Sequence, residues 1–224
     1  MPPATQTYII DFDSTLITLE SLDELARITL AGRSDASKVM NRLEAITKQG
    51  MLGDIEFDKS LTQRLSLFSA NKQHIERLTE LLMANISPSA LSNTAWFREN
   101  AERIYVVSGG FADYIVPVVA SLGLIPKHVF ANNFVYDELG NIKGYNPDSL
   151  LSRPQGKVQQ IKSLGLPDTY VVMIGDGYTD FEAKAYGAAD EFWAFTETAN
   201  RPKVDKLADR IVRDFEEVAK LSRQ

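Results

Sequence analysis

The chain has 224 residues, 44% of them hydrophobic, enough for one large domain or for a core domain carrying a smaller insertion. A formal net charge of −6, with no Lys/Arg-rich stretch, makes nucleic acid and anionic membrane poor partners. With no cysteine, disulfides, a thiol nucleophile and cysteine-based metal sites are excluded, and a cytoplasmic setting is expected.

Tyr8-Ile9-Ile10 reads as a short buried strand, and Asp11 stops it too soon for a secretory leader. No later stretch approaches the roughly 20 apolar residues of a membrane helix. After Asp11-Phe12-Asp13-Ser14-Thr15 the pattern turns helical. Ser21 with Glu24 has the form of a capping box, and Leu22, Leu25, Ala26 and Leu30 follow at mostly helical spacing. A second helix is expected from Asp35 with Val39, Leu43 and Ile46, ending before Gly50. A third is expected from Asp54 with Phe57, Leu61, Leu65 and Phe68, and a fourth from Asn71 with Ile75, Leu78 and Leu82, ending before Pro88. These amphipathic segments predict a small helical bundle.

Beyond it the pattern alternates. Ile104 to Val107 is a strand, and Ser108-Gly109-Gly110 is expected to open a helix running to about Ser121. Val129-Phe130 is a short strand, and Phe134 to Tyr136 with Ile142 to Tyr145 flank Gly140-Asn141 as a hairpin. A helix over Gln155 to Leu164 precedes the apolar run Tyr170 to Ile174, which leads into Gly175-Asp176-Gly177 and a short helix. Phe192 to Phe195 and Arg210 to Val212 are strands, and Asp214 with Glu217 caps a last helix. Strands alternating with helices predict an α/β fold with a parallel sheet, whose ligands sit at the carboxyl ends of the strands.

The chemistry-bearing residues fall at those ends. Asp11 and Asp13 follow one strand, Asp176 and Asp180 another. If the strands are neighbours the carboxylates converge, and two carboxylates about 4 Å apart repel by about 4 kcal/mol at an effective dielectric of 20. Oxygen ligands without His or Cys favour Mg²⁺ as the compensating cation. Ser108 offers a hydroxyl, and the backbone after it can meet an anion. Lys157 offers a point charge, and Gly175 and Gly177 allow close approach. Each has an ordinary reading taken alone: an N-cap, a strand-to-helix turn, a solvated lysine. Their occurrence together and in this order points to a site for a phosphate and a divalent cation.

That set resembles the haloacid dehalogenase superfamily of phosphohydrolases. Asp11-Phe12-Asp13-Ser14-Thr15-Leu16 is similar to its first motif, Ser108 to its second, Lys157 to its third, and Gly175-Asp176-Gly177-Tyr178-Thr179-Asp180 to its fourth. The helical insertion resembles the family's first cap position. This implies a Rossmann-like core over residues 1–16 and 87–224 and a helical cap over 17–86. Within the superfamily, Glu20 before Leu22-Asp23-Glu24-Leu25-Ala26, and Met51-x-Gly53-x-x-x-Phe57 before Ser60-Leu61-x-x-Arg64, resemble the phosphoserine phosphatases. Thr179 departs from the commoner asparagine.

The resemblance implies Asp11 as nucleophile and Asp13 as acid and then base. It implies Mg²⁺ held by Asp11, the Asp13 main-chain carbonyl and Asp176, with Asp180 orienting a metal-bound water or Lys157. Ser108, the Gly109 N–H and Lys157 would bind phosphate, with Thr179 beside them. Glu20 would meet the ammonium of phosphoserine, and Met51 and Phe57 would close over it. Arg64 has support of its own. It shares a helical stripe with Phe57, Leu61 and Leu65, where an arginine is costly unless an anion meets it. It is either a clamp for a substrate carboxylate or a snorkelling or internally paired side chain. Glu20 reads equally as a linker charge, and Met51 and Phe57 as bundle core. The expected ligand is thus a small phosphorylated molecule, phosphoserine first, bound by a monomer or homodimer. The competing readings are hydrolysis of another small phosphate ester, phosphate transfer to an alcohol, a phospho-receiver module and an inactive binding protein. His74, His128, Trp96 and Trp193 read as structural.

Overall fold

A computed structural model describes residues 6–166 and 169–222. Its centre is a six-stranded parallel sheet. In chain order the strands and helices before the crossover are β1 (Gln6–Ile10), α1 (Ser21–Leu30), α2 (Ala36–Met51), α3 (Phe57–Leu65), α4 (Lys72–Met83), α5 (Pro88–Ser92), α6 (Thr94–Glu99) and β2 (Ile104–Phe111). There follow α7 (Ala112–Ser121), β3 (Val129–Asn132), β4 (Phe134–Tyr136), β5 (Ile142–Tyr145), α8 (Gly156–Ser163) and β6 (Tyr170–Gly175). The chain closes with α9 (Tyr178–Ala185), β7 (Glu191–Phe195), α10 (Pro202–Asp205), β8 (Arg210–Val212) and α11 (Phe215–Leu221).

The sheet order is β3-β2-β1-β6-β7-β8, so β1 and β6 are neighbours, with Ile10 opposite Ile174. The two aspartate clusters therefore leave adjacent strand ends. Alternate residues of each strand enter different cores, because side chains alternate across a sheet. Tyr8 and Ile10 pack with Ile104, Val106, Val172 and Ile174 on one face. Ile9 packs with Val107, Val171 and Met173 on the other. Burial on both faces accounts for the unbroken apolar runs. Trp96 and Trp193 are core residues. His74 completes a cap by accepting from the Asn71 N–H, and His128 stacks on Tyr105.

The helical insertion leaves and rejoins the sheet side by side. Ile17 bridges Ile86, the Thr18 N–H donates to the Asn85 carbonyl, and the Ser87 N–H donates to the Leu16 carbonyl. The insertion does not keep its apolar side chains to itself. Leu22, Leu25, Leu78 and Leu82 join the core of the sheet, while Ala26, Leu30, Met40 and Leu43 form a small cluster of their own. The β4–β5 hairpin reaches up to this region, with the Lys72 N–H donating to Gly140 and the Ile142 N–H to Ala70.

Four expectations change, and one stretch that carried none, Pro88–Glu99, is helical. The third helix begins at Phe57, with Asp54 in the preceding turn, and the second runs through Gly50. The Pro88–Glu99 stretch forms two short helices without a long periodic pattern. Ser21 is not a capping residue: Glu20 holds the N-cap position, and the Ser21 N–H donates to the Asp13 side chain at 2.8 Å. Ser108-Gly109-Gly110 opens no helix. β2 continues through it to Phe111, with a register shift against β3 after Val107, and α7 starts at Ala112. The anion donors expected of a helix start at that motif are therefore those of an irregular strand.

Candidate active site

Asp11 is fixed at the end of β1 by its N–H, which donates to the Ile174 carbonyl at 2.9 Å. The next five residues, Phe12–Leu16, form a tight turn in which Ser14 adopts φ 52°. This left-handed conformation is uncommon outside glycine, asparagine and aspartate. It sends the Ser14 hydroxyl to Glu20, donating to Oε1 at 2.8 Å. The strained turn thus ties the loop after Asp11 to the residue that precedes α1.

Asp11, Asp176 and Asp180 are buried and each offers an oxygen within 4.8 Å of the others'. Lys157, at the start of α8, threads between two of them, with Nζ 2.8 Å from Asp11 Oδ1 and 2.6 Å from Asp180 Oδ1. Asp180 Oδ2 accepts from the Gly177 N–H at 2.9 Å, so both its oxygens are engaged. A Cβ on Gly175 would lie 2.3 Å from the Asp180 carboxyl carbon, and only glycine fits there. Asp176 Oδ2 meets Arg201 at 2.5 Å, but its Oδ1 is buried with no partner among the described residues. An orphaned carboxylate oxygen in an all-oxygen cluster fits a hard divalent cation. The Asp13 side chain turns from this cluster to the amino end of α1.

Asp11, Asp13, Glu20, Met51, Phe57, Arg64, Ser108, Gly109, Lys157 and Thr179 line one cleft between the strand ends and the helical insertion. Ser108 Oγ accepts from the Gly110 N–H, and Asn132 donates to the Gly109 carbonyl at 2.8 Å, so this irregular turn is held from two sides. Phe57 rests on Gly109, where a Cβ would lie 2.3 Å from the ring, and Met51 rests against Gly177. Arg64 is buried: Nη1 lies 3.5 Å from Thr47 and 4.0 Å from Asp23, and Nε has no partner among the described residues.

The sequence reading missed Arg201, Asn132, Tyr114 and Thr47. Arg201 bridges Asp176 and Glu20, the latter at 3.2 Å. Tyr114, whose hydroxyl receives the Ser21 hydroxyl at 2.8 Å, and Thr47 both line the cleft. Their partners are far off in sequence, and no local signal marks them.

A family model described as haloacid dehalogenase-like hydrolase matches residues 9–183, spanning all of these strand-end motifs. The chain belongs to this hydrolase family. A chloroplastic phosphoserine phosphatase of Arabidopsis thaliana is 33% identical over 95% of this chain and 70% of its own. The structure of a phosphoserine phosphohydrolase-like protein from Francisella tularensis superposes with a TM-score of 0.87 at 30% identity, covering 97% of this chain and 99% of the other. A phospho-aspartyl intermediate analogue of phosphoserine phosphatase superposes at 0.74 and 25% identity, covering 98% and 99%. Among the described residues no helix is long and apolar enough to cross a membrane.

The electrostatics of this hydrolase site follow from burial. Burial, then the charge of Asp11, raises Asp13 to about 7, against the Ser21 hydrogen bond. Burial, then the charge of Asp13, raises Glu20 to about 8, with Arg201 opposing. Asp176 and Asp180 are each raised to about 7 by burial, with Arg201 and Lys157 respectively as the main opposing charges. For Lys157, burial pulls downward, but the Asp11 and Asp180 charges outweigh it and hold the ammonium above its usual range. Burial thus makes ionisation of these carboxyl groups costly even with Arg201 and Lys157 beside them.

Proposed function

We propose that this chain is a Mg²⁺-dependent phosphoserine phosphatase working through phosphorylated Asp11. The observation that carries the substrate is Arg64. It is a buried arginine whose Nε has no partner among the described residues, in the same cleft as the aspartates proposed to be catalytic. A guanidinium left short of partners is suited to bidentate binding of a carboxylate. Glu20, in the same cleft, is the group for the substrate ammonium, displacing its contact with Arg201.

The residues then divide the work. Ser108, the Gly109 N–H and Lys157 hold the phosphate, and Met51 and Phe57 close over the substrate beside Thr179. Asp11 attacks phosphorus, the bond to the serine oxygen breaks, and Asp13 gives that oxygen its proton. A carboxyl group raised to about 7 retains that proton near neutrality. Asp13, now ionised, takes a proton from the water that attacks phospho-Asp11, releasing phosphate and restoring both side chains. Splitting the transfer in two replaces one difficult displacement by two easier ones. Asp11, Asp176 and the Asp13 carbonyl are proposed to hold Mg²⁺, and Asp180 to orient Lys157. Bound there, the cation compensates charge on the carboxylates and on a phosphate oxygen.

The division into a core over 1–16 and 87–224 and a cap over 17–86 is proposed on the closure at Ile17 and Ile86. The cytoplasm is the compartment expected from the sequence; the chloroplastic relative shows that compartment varies among similar proteins.

The test is phosphate release across phosphorylated amino acids and sugars. Arg64→Ala should lower kcat/KM for phosphoserine by roughly 10- to 100-fold, the equivalent of a charge-assisted hydrogen bond of about 1.5–3 kcal/mol. Phosphoethanolamine, which lacks the carboxylate, should be poor for the native enzyme and little changed by the substitution. Equal losses on both substrates would reduce Arg64 to a structural residue.

A further inference from the structure

Among the described residues Arg64 is held only loosely, with Nε lacking a hydrogen-bond partner. Its Nη1 stands 4.0 Å from Asp23 Oδ1, a distance at which the charges feel each other but share no hydrogen bond. Thr47 touches both from the side: its hydroxyl donates to Asp23 Oδ1 at 2.7 Å and its oxygen lies 3.5 Å from Arg64 Nη1. All three side chains are buried, and Thr47 and Arg64 line the cleft while Asp23 does not. Asp23 belongs to α1, Thr47 to α2 and Arg64 to α3, so one residue from each helix meets at this point.

The chemistry of each residue matters here. A carboxylate in direct two-pronged contact with Arg64 would occupy the groups a substrate carboxylate needs. A guanidinium with no anion nearby would be costly to bury while the cleft is empty. Thr47 resolves the conflict by spending its hydroxyl proton on Asp23, which satisfies that carboxylate and keeps it at a distance. The threonine oxygen is left as a weak acceptor facing the arginine. We infer that Asp23 and Thr47 are positioning residues that hold Arg64 aimed into the cleft and unspent, so that the enzyme selects esters bearing a carboxylate. This inference rests on the phosphoserine reading above. It implies that carboxylate binding registers the three cap helices against one another.

The test uses the full chain with Mg²⁺ and compares initial rates on phosphoserine and phosphoethanolamine. Thr47→Val keeps the shape and removes the hydroxyl, freeing Arg64 to collapse onto Asp23. The KM for phosphoserine should rise about tenfold relative to that for phosphoethanolamine, with kcat much less affected. Thr47→Ser, which restores the hydroxyl, should recover most of the loss. Asp23→Asn should shift the same ratio in the same direction, with melting recorded to confirm that it folds. In an Arg64→Ala background, Thr47→Val should add nothing, because residues acting through one another are non-additive. An unchanged KM ratio in Thr47→Val, or full additivity with Arg64→Ala, overturns the inference and leaves the phosphoserine reading standing. A native enzyme that handles both substrates equally overturns the reading itself, and the inference with it.

Discussion

Gly109→Ala is the smallest perturbation that tests how the helical insertion meets the sheet. Alanine keeps the N–H proposed to bind phosphate and adds one methyl group. That methyl carbon would lie 2.3 Å from Phe57 Cζ and 2.7 Å from Cε2, where ordinary contact begins at 3.4 Å. The ring must therefore retreat by more than about 1 Å, a displacement that a well-packed site resists. Phe57 is the first residue of α3, so its retreat lifts the same helix that carries Arg64. Overpacking of this kind costs about 1–3 kcal/mol. Set against the closed, substrate-bound form, that is roughly a 5- to 150-fold fall in kcat/KM for phosphoserine. The assay is steady-state phosphate release, with thermal melting alongside to show that the fold survives. The decisive comparison is the double substitution Phe57→Ala/Gly109→Ala. With the ring gone the three atoms nearest the methyl group are removed, so the double variant should be no worse than Phe57→Ala alone. Native turnover in Gly109→Ala, or additive losses in the double variant, would refute the claim that these two residues form the joint.

Two further outcomes follow from the carboxylates. Asp11→Asn should abolish turnover, because an amide cannot form the acyl phosphate, while Asp13→Asn should leave a slow enzyme in which phospho-Asp11 accumulates and is seen by intact mass; sustained turnover in Asp11→Asn would exclude the mechanism. Asp176 and Asp180, raised to about 7 in the folded state, take up protons on folding, so their contribution to stability is present at low pH and lost as pH rises through 7. Without added cation the melting temperature should therefore be lower at pH 8 than at pH 6. Mg²⁺ should narrow that gap, adding about 2.7 kcal/mol at 100 times its dissociation constant, and Asp176→Ala should remove the effect; a Mg²⁺ shift that ignores both pH and Asp176 would contradict the assignment.

The parts legible in sequence are those written in local patterns. Tyr8 to Ile10 and Tyr170 to Ile174 are apolar runs cut off by aspartates, which is how buried parallel strands ending in a site look. The errors have physical causes. Ser21 and Glu24 satisfy the spacing of a capping box, but Asp13, eight residues upstream, takes the Ser21 N–H, and no local rule weighs a tertiary acceptor against a local one. The glycines after Ser108 read as the opening of a helix. They lie within β2, at a bulge where Phe57 approaches from another part of the fold, a role glycine has inside strands. Arg201 lies in an irregular stretch, and its contact with Glu20 spans 181 positions. Arg64 was legible as an arginine on an apolar stripe, whereas the restraint that Thr47 places on it was not, because it depends on how three helices cross.

The bridge between Ile17 and Ile86 makes the helical insertion a closed loop whose ends are fixed by the sheet. The entropy of closing a loop grows only with the logarithm of its length, by about 0.6 kcal/mol per doubling. Loop closure by itself therefore sets little limit on the length of an insertion spliced at these two residues. A different insertion could be joined at this junction, provided that it replaces the Ser21 N–H that holds Asp13 and the Leu22, Leu25, Leu78 and Leu82 side chains that complete the core of the sheet.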